Sequence, residues 1–233
     1  MNGKLARDPE TPVRFPQDRI EVDGSPLQQS TPVYLAMNKP RGLVTTVSDE
    51  KGRETIYSLL DPANPWVAPV GRLDKASEGL LLLTNDSEWA SRITDPASHL
   101  DKVYHVQIDA VADGALLSQI TRGCKVDEVS LRAKTASLLR HGEKNSWLEI
   151  TLDEGKNRQI RRLLGALEIA VLRLVRVSIG PLQLGELKKG IVRNLTEEER
   201  VALDRALANK VPQKDNRRMP KDVGCGWQRH APY

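Results

Sequence analysis

Two polar clusters hold the residues best suited to chemistry, GRLDKASEG at 71–79 and EGKNRQIRR at 154–162. In the first, Asp74 offers a carboxylate, with the cation Arg72 two positions earlier. In the second, Lys156, Arg158, Arg161 and Arg162 stand at the start of a helical pattern. There Ile160, Leu163, Leu164 and Leu167 follow the i, i+3, i+4, i+7 rule. Helix N-termini attract anions and basic side chains add to that field, so a phosphate-rich ligand suits the second cluster. Each cluster also has a plain reading: a turn aspartate after Gly-Arg-Leu, and a solvated basic helix face. The four histidines (His99, His105, His141 and His230) and two cysteines (Cys124 and Cys225) show no metal-ligand spacing. No G-x-x-x-x-G-K-[ST], G-x-G-x-x-G or G-x-S-x-G occurs. Any reaction is therefore expected to need neither metal nor cofactor.

Both clusters need rigid elements to position them. Leu80 to Thr84, bounded by Gly79 and Asn85-Asp86, reads as a central strand buried on both faces. Asp86 or Ser87 caps a helix ending before Asp95-Pro96, and Asp113 caps another closed by Gly123. Val103 to Ala110 alternates as a strand, with Tyr104 and Val106 facing away from Val103, His105 and Gln107. Strands are also expected at Val33 to Met37, Leu43 to Val47, Val67 to Val70, Leu131 to Leu139, Trp147 to Leu152, Val171 to Ile179 and Leu182 to Leu184. Thr55 to Leu60 reads as a short helix. Asn157 opens the basic helix, and Thr196 with Glu199 forms a capping box for a last helix to about Ala208. Strands and helices mix without a strict βαβ rhythm, so the expected class is α+β, a mixed and mostly antiparallel sheet with flanking helices.

The 233 residues, 39% apolar and 28% charged, suit a globular protein with a sizeable core. No apolar run approaches the roughly 20 residues of a membrane span, and MNGKLARDPE contains no signal-like apolar stretch. Two distant cysteines suit the reducing cytoplasm. Residues 1–30 read as a disordered polar arm, 31–208 as the folded domain and 209–233 as a basic disordered tail. The tail has six Lys/Arg against Asp215 and Asp222, which accounts for the whole formal charge of +4. With Phe15 the one phenylalanine, an aromatic RNA-stacking sheet is not expected.

Together and in order, the clusters resemble the motifs of the pseudouridine synthases that modify ribosomal RNA. Gly71 to Asp86 matches G-R-L-D-x-x-[ST]-x-G-L-L-L-L-T-N-D, with Ser77 at the hydroxyl position. Lys102 to Val106 matches K-x-Y-x-V, and Glu154 to Arg162 matches E-G-[KR]-N-R-Q-[IV]-R-R. Asn38-Lys39-Pro40-x-Gly42 and Val171 to Gly180 complete a resemblance running from about 33 to 200. Ser87 departs from the glycine common after Asn-Asp, away from the chemistry. Ser77-Glu78-Gly79 and Trp147 to Leu152 resemble the large-subunit subgroup E. So does the polar lead of about 30 residues, too short for the S4 RNA-binding module of most relatives.

The resemblance implies a pseudouridine synthase fold with a central catalytic cleft. It also implies cofactor-free isomerisation of uridine to pseudouridine in 23S ribosomal RNA, by a cytoplasmic enzyme taken as a monomer. Asp74 would be the catalytic carboxylate, adding to C1′ or taking a proton from C2′, and Lys156 the cation that keeps it ionised. Tyr104 would stack on uracil near C5, Arg72 would hold the flipped nucleotide, and Arg158, Arg161 and Arg162 would contact phosphates. Two other readings stand beside it. One is a non-catalytic RNA-binding or ribosome-assembly protein on the same scaffold. The other is a sister synthase acting on 16S rRNA or tRNA.

Overall fold

The leucine run after Asp74 forms the spine of a nine-stranded sheet in the computed structural model, which describes residues 1–8, 11–14, 17–26 and 31–208. In chain order the first strands are β1 (Glu21–Val22), β2 (Ser25–Pro26), β3 (Tyr34–Lys39), β4 (Ala68–Val70), β5 (Glu78–Thr84) and β6 (Lys102–Ile108). Then follow β7 (Cys124–Val126), β8 (Val129–Leu131), β9 (Thr135–His141), β10 (Ser146–Leu152), β11 (Val171–Ile179), β12 (Leu182–Gln183) and β13 (Val192–Asn194). The helices are α1 (Ser87–Thr94), α2 (Gly114–Arg122), α3 (Gln159–Gly165) and α4 (Glu197–Ala208).

The main sheet runs β13-β3-β5-β11-β6-β10-β9, with β4 paired to β5 and β12 to β11. All its pairings are antiparallel except β5 with β11, where Glu78 lies opposite Val175 and Gly79 opposite Arg176. This is the α+β class expected. Gly79 is required at the parallel contact: its φ is +102°, and a Cβ there would meet the Arg176 carbonyl oxygen at 2.2 Å.

All seven residues of β5 are buried, because both faces are covered. Leu80 and Leu82 pack with Trp89, Ile93 and Leu203 beneath α1 and α4. Leu81 and Leu83 pack on the other face with Met37, Ile56 and Leu73. A third cluster, including Val106, Ile150, Leu163 and Leu164, joins β6, β10 and α3. Tyr104 touches both of the last two clusters and so marks the seam between them.

The local signals act as their chemistry requires. Asp86 accepts from Trp89 N at 2.9 Å, and Asp113 from Leu116 N at 2.8 Å. Thr196 N donates to Glu199 Oε2 at 3.0 Å while Glu199 N donates to Thr196 Oγ1 at 3.2 Å, a reciprocal capping box. Three expectations change. Leu43 to Val47 is no strand: Val44 forms one isolated bridge to Thr55, and Thr45 instead bonds the loop before Asp74. Leu131 to Leu139 breaks after β8, because Ala133 N turns to Ile120 O and Lys134 N to Thr151 O. The helix expected at Asn157 starts at Gln159, since Arg158 adopts a left-handed φ of +47°. Within the N-terminal arm, β1 and β2 pair as a short hairpin. The basic tail lies outside the described residues.

Candidate active site

The residues from Leu73 to Ser77 enter β5 with every carbonyl held. Thr45 Oγ1 donates to Leu73 O at 2.7 Å, and Gly42 N donates to Lys75 O at 2.8 Å. Arg161 Nη2 reaches Ala76 O at 3.1 Å, and Ser77 N donates to Asp74 O at 2.9 Å. Lys39 Nζ donates to the carbonyls of Pro40, Asp74 and Ser77 at 3.1, 3.2 and 3.0 Å. Asp74 thus sits on a backbone fixed from both sides, with its carboxylate partly exposed.

A cleft of about 450 Å³ opens over this loop. Its wall includes Arg72, Asp74, Tyr104, Lys156, Arg158 and Arg176. The topology explains the convergence. The loop before β5 supplies Arg72 and Asp74, β6 supplies Tyr104, and the β10–α3 connection supplies Lys156 and Arg158. A larger groove of about 720 Å³ runs between the 181–187 segment and α4. Its Arg193 and Glu199 are engaged in an ion pair at 2.7 Å, and it lies away from Asp74.

Five of the seven expected site residues line this cleft, though with different partners. The cation beside Asp74 is Arg158, Nη1 to Oδ2 at 3.6 Å, not Lys156. Lys156 Nζ lies 2.8 Å from Glu154 Oε2 and donates to Ser130 O at 2.9 Å. The left-handed turn at Arg158 is what swings its side chain toward Asp74. Arg161 sits behind the loop, bonded to Val171 O at 3.3 Å as well as Ala76 O. Burial lowers its pKa, as do the charges of Arg158 and Arg41, while Asp74 opposes the shift. Arg162 points elsewhere, donating to Val126 O at 3.0 Å and Asp127 at 3.2 Å, and so ties α3 to the β7–β8 hairpin.

Sequence reasoning missed several supporting groups. Lys39 is fully enclosed, at 0% exposure, and its pKa is pushed down to about 8, chiefly by burial, against the charges of Asp74 and Glu78. Its place at the end of an otherwise buried strand was the available signal. Glu78 is buried against Arg173, at 2.9 and 3.1 Å, and Lys189, at 2.5 Å. Burial would raise its pKa, but these two cations outweigh it and the net shift is downward. Gln159 organises the second cluster, donating to Glu154 at 2.6 Å and Arg132 O at 2.9 Å while accepting from Lys156 N at 3.2 Å.

A family model described as RNA pseudouridylate synthase matches residues 33–166, a span that holds both clusters. An RNA pseudouridine synthase of Aquifex aeolicus (strain VF5) is 37% identical over 216 residues, covering 92% of this chain and 87% of the relative. The ribosomal large subunit pseudouridine synthase B of Bacillus subtilis (strain 168) is 35% identical over 211 residues, covering 90% and 86%. A crystal structure of a pseudouridylate synthase superposes with a TM-score of 0.67 at 29% identity, covering 87% and 86%. Sequence and fold therefore agree along nearly the whole described length, and the chain belongs to the RNA pseudouridine synthase family, isomerases that act on RNA.

Proposed function

We propose that this protein converts a specific uridine of 23S ribosomal RNA to pseudouridine through Asp74, without a cofactor. The observation that carries the reading is the loop from Leu73 to Ser77. All five of its carbonyls are engaged, while the Asp74 carboxylate is left to the cleft that Tyr104 also lines. A carboxylate meant to meet C1′ or the C2′ proton needs such support. Breaking a glycosidic bond puts positive charge on the sugar, and an ionised carboxylate stabilises or captures it. Arg158 is the cation beside Asp74, Nη1 to Oδ2 at 3.6 Å, a place first expected of Lys156. Tyr104 offers a ring for the uracil. Arg72, exposed at the rim, is placed to hold a nucleotide drawn out of its helix. Lys156 and Arg158 are the phosphate contacts of this reading, whereas Arg161 and Arg162 act on the protein itself.

The large-subunit target is supported by the likeness to synthase B of B. subtilis, and the E subgroup by Ser77-Glu78-Gly79, whose Glu78 is locked to Arg173. Pseudouridine mapping of 23S, 16S and transfer RNA, in cells with and without the protein, tests both activity and target. One 23S position should depend on the wild-type gene, and Asp74→Asn should not restore it. Modification by Asp74→Asn would remove Asp74 from the chemistry, and a dependent site in 16S or transfer RNA would move the target.

A further inference from the structure

Arg176 stands where the pattern of its strand calls for an apolar side chain. In β11 it follows Leu174 on the face that packs toward Val106 and Ile150. It lies directly opposite Tyr104 on β6 and opposite Gly79 on β5. Opposed residues of an antiparallel pair share a face, with Cβ atoms about 5 Å apart. Tyr104 and Arg176 are therefore neighbours on the floor of the cleft, and both line it.

Arg176 as a residue is 6% exposed, and its guanidinium is poorly satisfied. Nε donates to Leu80 O at 2.8 Å, and Nη2 is enclosed with no acceptor. Among the described residues no carboxylate pairs with it, although Glu78, two positions before Leu80, takes both Arg173 and Lys189. A buried cation left without a counter-charge is unfavourable in the empty protein. A methionine or glutamine would fill the same space without that cost, so tying β11 to Leu80 does not account for the charge.

We propose that Arg176 is a catalytic residue that stabilises the uracil as it leaves the sugar. This rests on the uridine-to-pseudouridine reading of the same cleft. When N1–C1′ breaks, its electron pair departs with the base, whether Asp74 then bonds C1′ or removes the C2′ proton. The base becomes an anion with its charge spread largely onto O2 and O4. That charge is returned when C5 forms its bond to C1′, as the Asp74–C1′ bond breaks or Asp74 gives its proton back to C2′; C5 then loses its proton and N1 gains one, so composition is unchanged. A ring stacked on Tyr104 brings a carbonyl oxygen beside Arg176 at the stage when it turns negative. The counter-charge missing from the empty site is then supplied by the reaction. Fixed charge aimed at where charge develops, in a water-poor site, is the most effective electrostatic help an enzyme can give.

The test measures single-turnover rates at saturating enzyme on the RNA fragment carrying the mapped uridine, and on the same fragment with 5-fluorouridine at that position. The fluorinated base is the more stable anion and needs less help to leave; the readout is loss of the parent nucleoside after digestion. Arg176→Gln should slow the uridine reaction about 100- to 1,000-fold, the loss typical of removing one oxyanion donor. RNA affinity should stay within about threefold, and the loss should shrink about tenfold or more on 5-fluorouridine. Arg176→Lys keeps the charge but not the planar donors, and should show the same inequality with a smaller loss. It also provides the measurement if Arg176→Gln fails to fold. Equal losses on the two bases, or a wild-type rate in either variant, overturn the proposal. Wild-type enzyme and Asp74→Asn run in parallel. No conversion by wild type would overturn the underlying reading instead.

Discussion

At the residue scale, the cleft depends on which cation answers which acceptor. Among the described residues Lys39 bonds no carboxylate and spends its three donors on three carbonyls, two of them in the Asp74 loop. Its pKa of about 8 lies below the roughly 10.4 of an unfolded lysine. Between those values the unfolded chain holds a proton that the folded chain does not, so this group makes stability rise with pH there. The neutral amine has only two donors, so the loop loses one as pH passes 8. The single-turnover rate should therefore fall above pH 8 while urea stability does not. Lys39→Met should lose about 1–3 kcal/mol of stability, because buried carbonyls are left without a donor, and should lack that alkaline fall. The same fall in the variant would show that another group titrates.

At the element scale, the one parallel pairing sets the geometry of the site. β5 and β11 meet at Gly79 and Arg176 close enough that no side chain fits at 79. The same contact holds the end of the Asp74 loop and presents Arg176 to the cleft floor. Gly79→Ala combines a left-handed φ with a clash against backbone that cannot swing aside. It should cost about 3 kcal/mol or more in urea unfolding, at the upper end for overpacked positions. A variant with wild-type stability and rate would mean that the two strands can separate without consequence. The β10–α3 connection shows a similar economy: one left-handed residue, Arg158, starts the helix and turns toward Asp74.

At the scale of the whole molecule, the cleft lies where two core clusters meet, one holding the Asp74 loop and the other holding α3. In the proposed reading an RNA seated in the cleft spans both, so affinity should depend on charges spread around the rim. Residues 210–233 carry six basic side chains against two acidic ones and leave the remainder formally neutral. Truncation after Asn209 should leave the turnover of bound RNA unchanged while weakening binding. It should flatten the dependence of log Kd on log salt by about 2–4, at roughly 0.7–0.9 for each phosphate no longer neutralised. Filter-binding titrations across salt concentrations measure this, and an unchanged slope would exclude the tail from the RNA interface.

The sequence by itself determined the features that act within a few residues. The buried run of β5, the caps at Asp86 and Asp113, the Thr196–Glu199 box and the two polar clusters were all legible, because caps, alternation and spacing are local. The tertiary structure decided which group meets which. Asp74 lies beside Arg158 and not Lys156, because Glu154 is nearer to Lys156 and a positive φ redirects Arg158. Arg161 and Arg162 read alike as basic residues of one helix, yet one braces the Asp74 loop and the other the β7–β8 hairpin. Thr45, taken for a strand residue, bonds Leu73, and Arg176 reaches the floor opposite Tyr104 only because β11 lies between β5 and β6. Such pairings join segments as many as about 100 residues apart, and the energy of each depends on burial that no local pattern records.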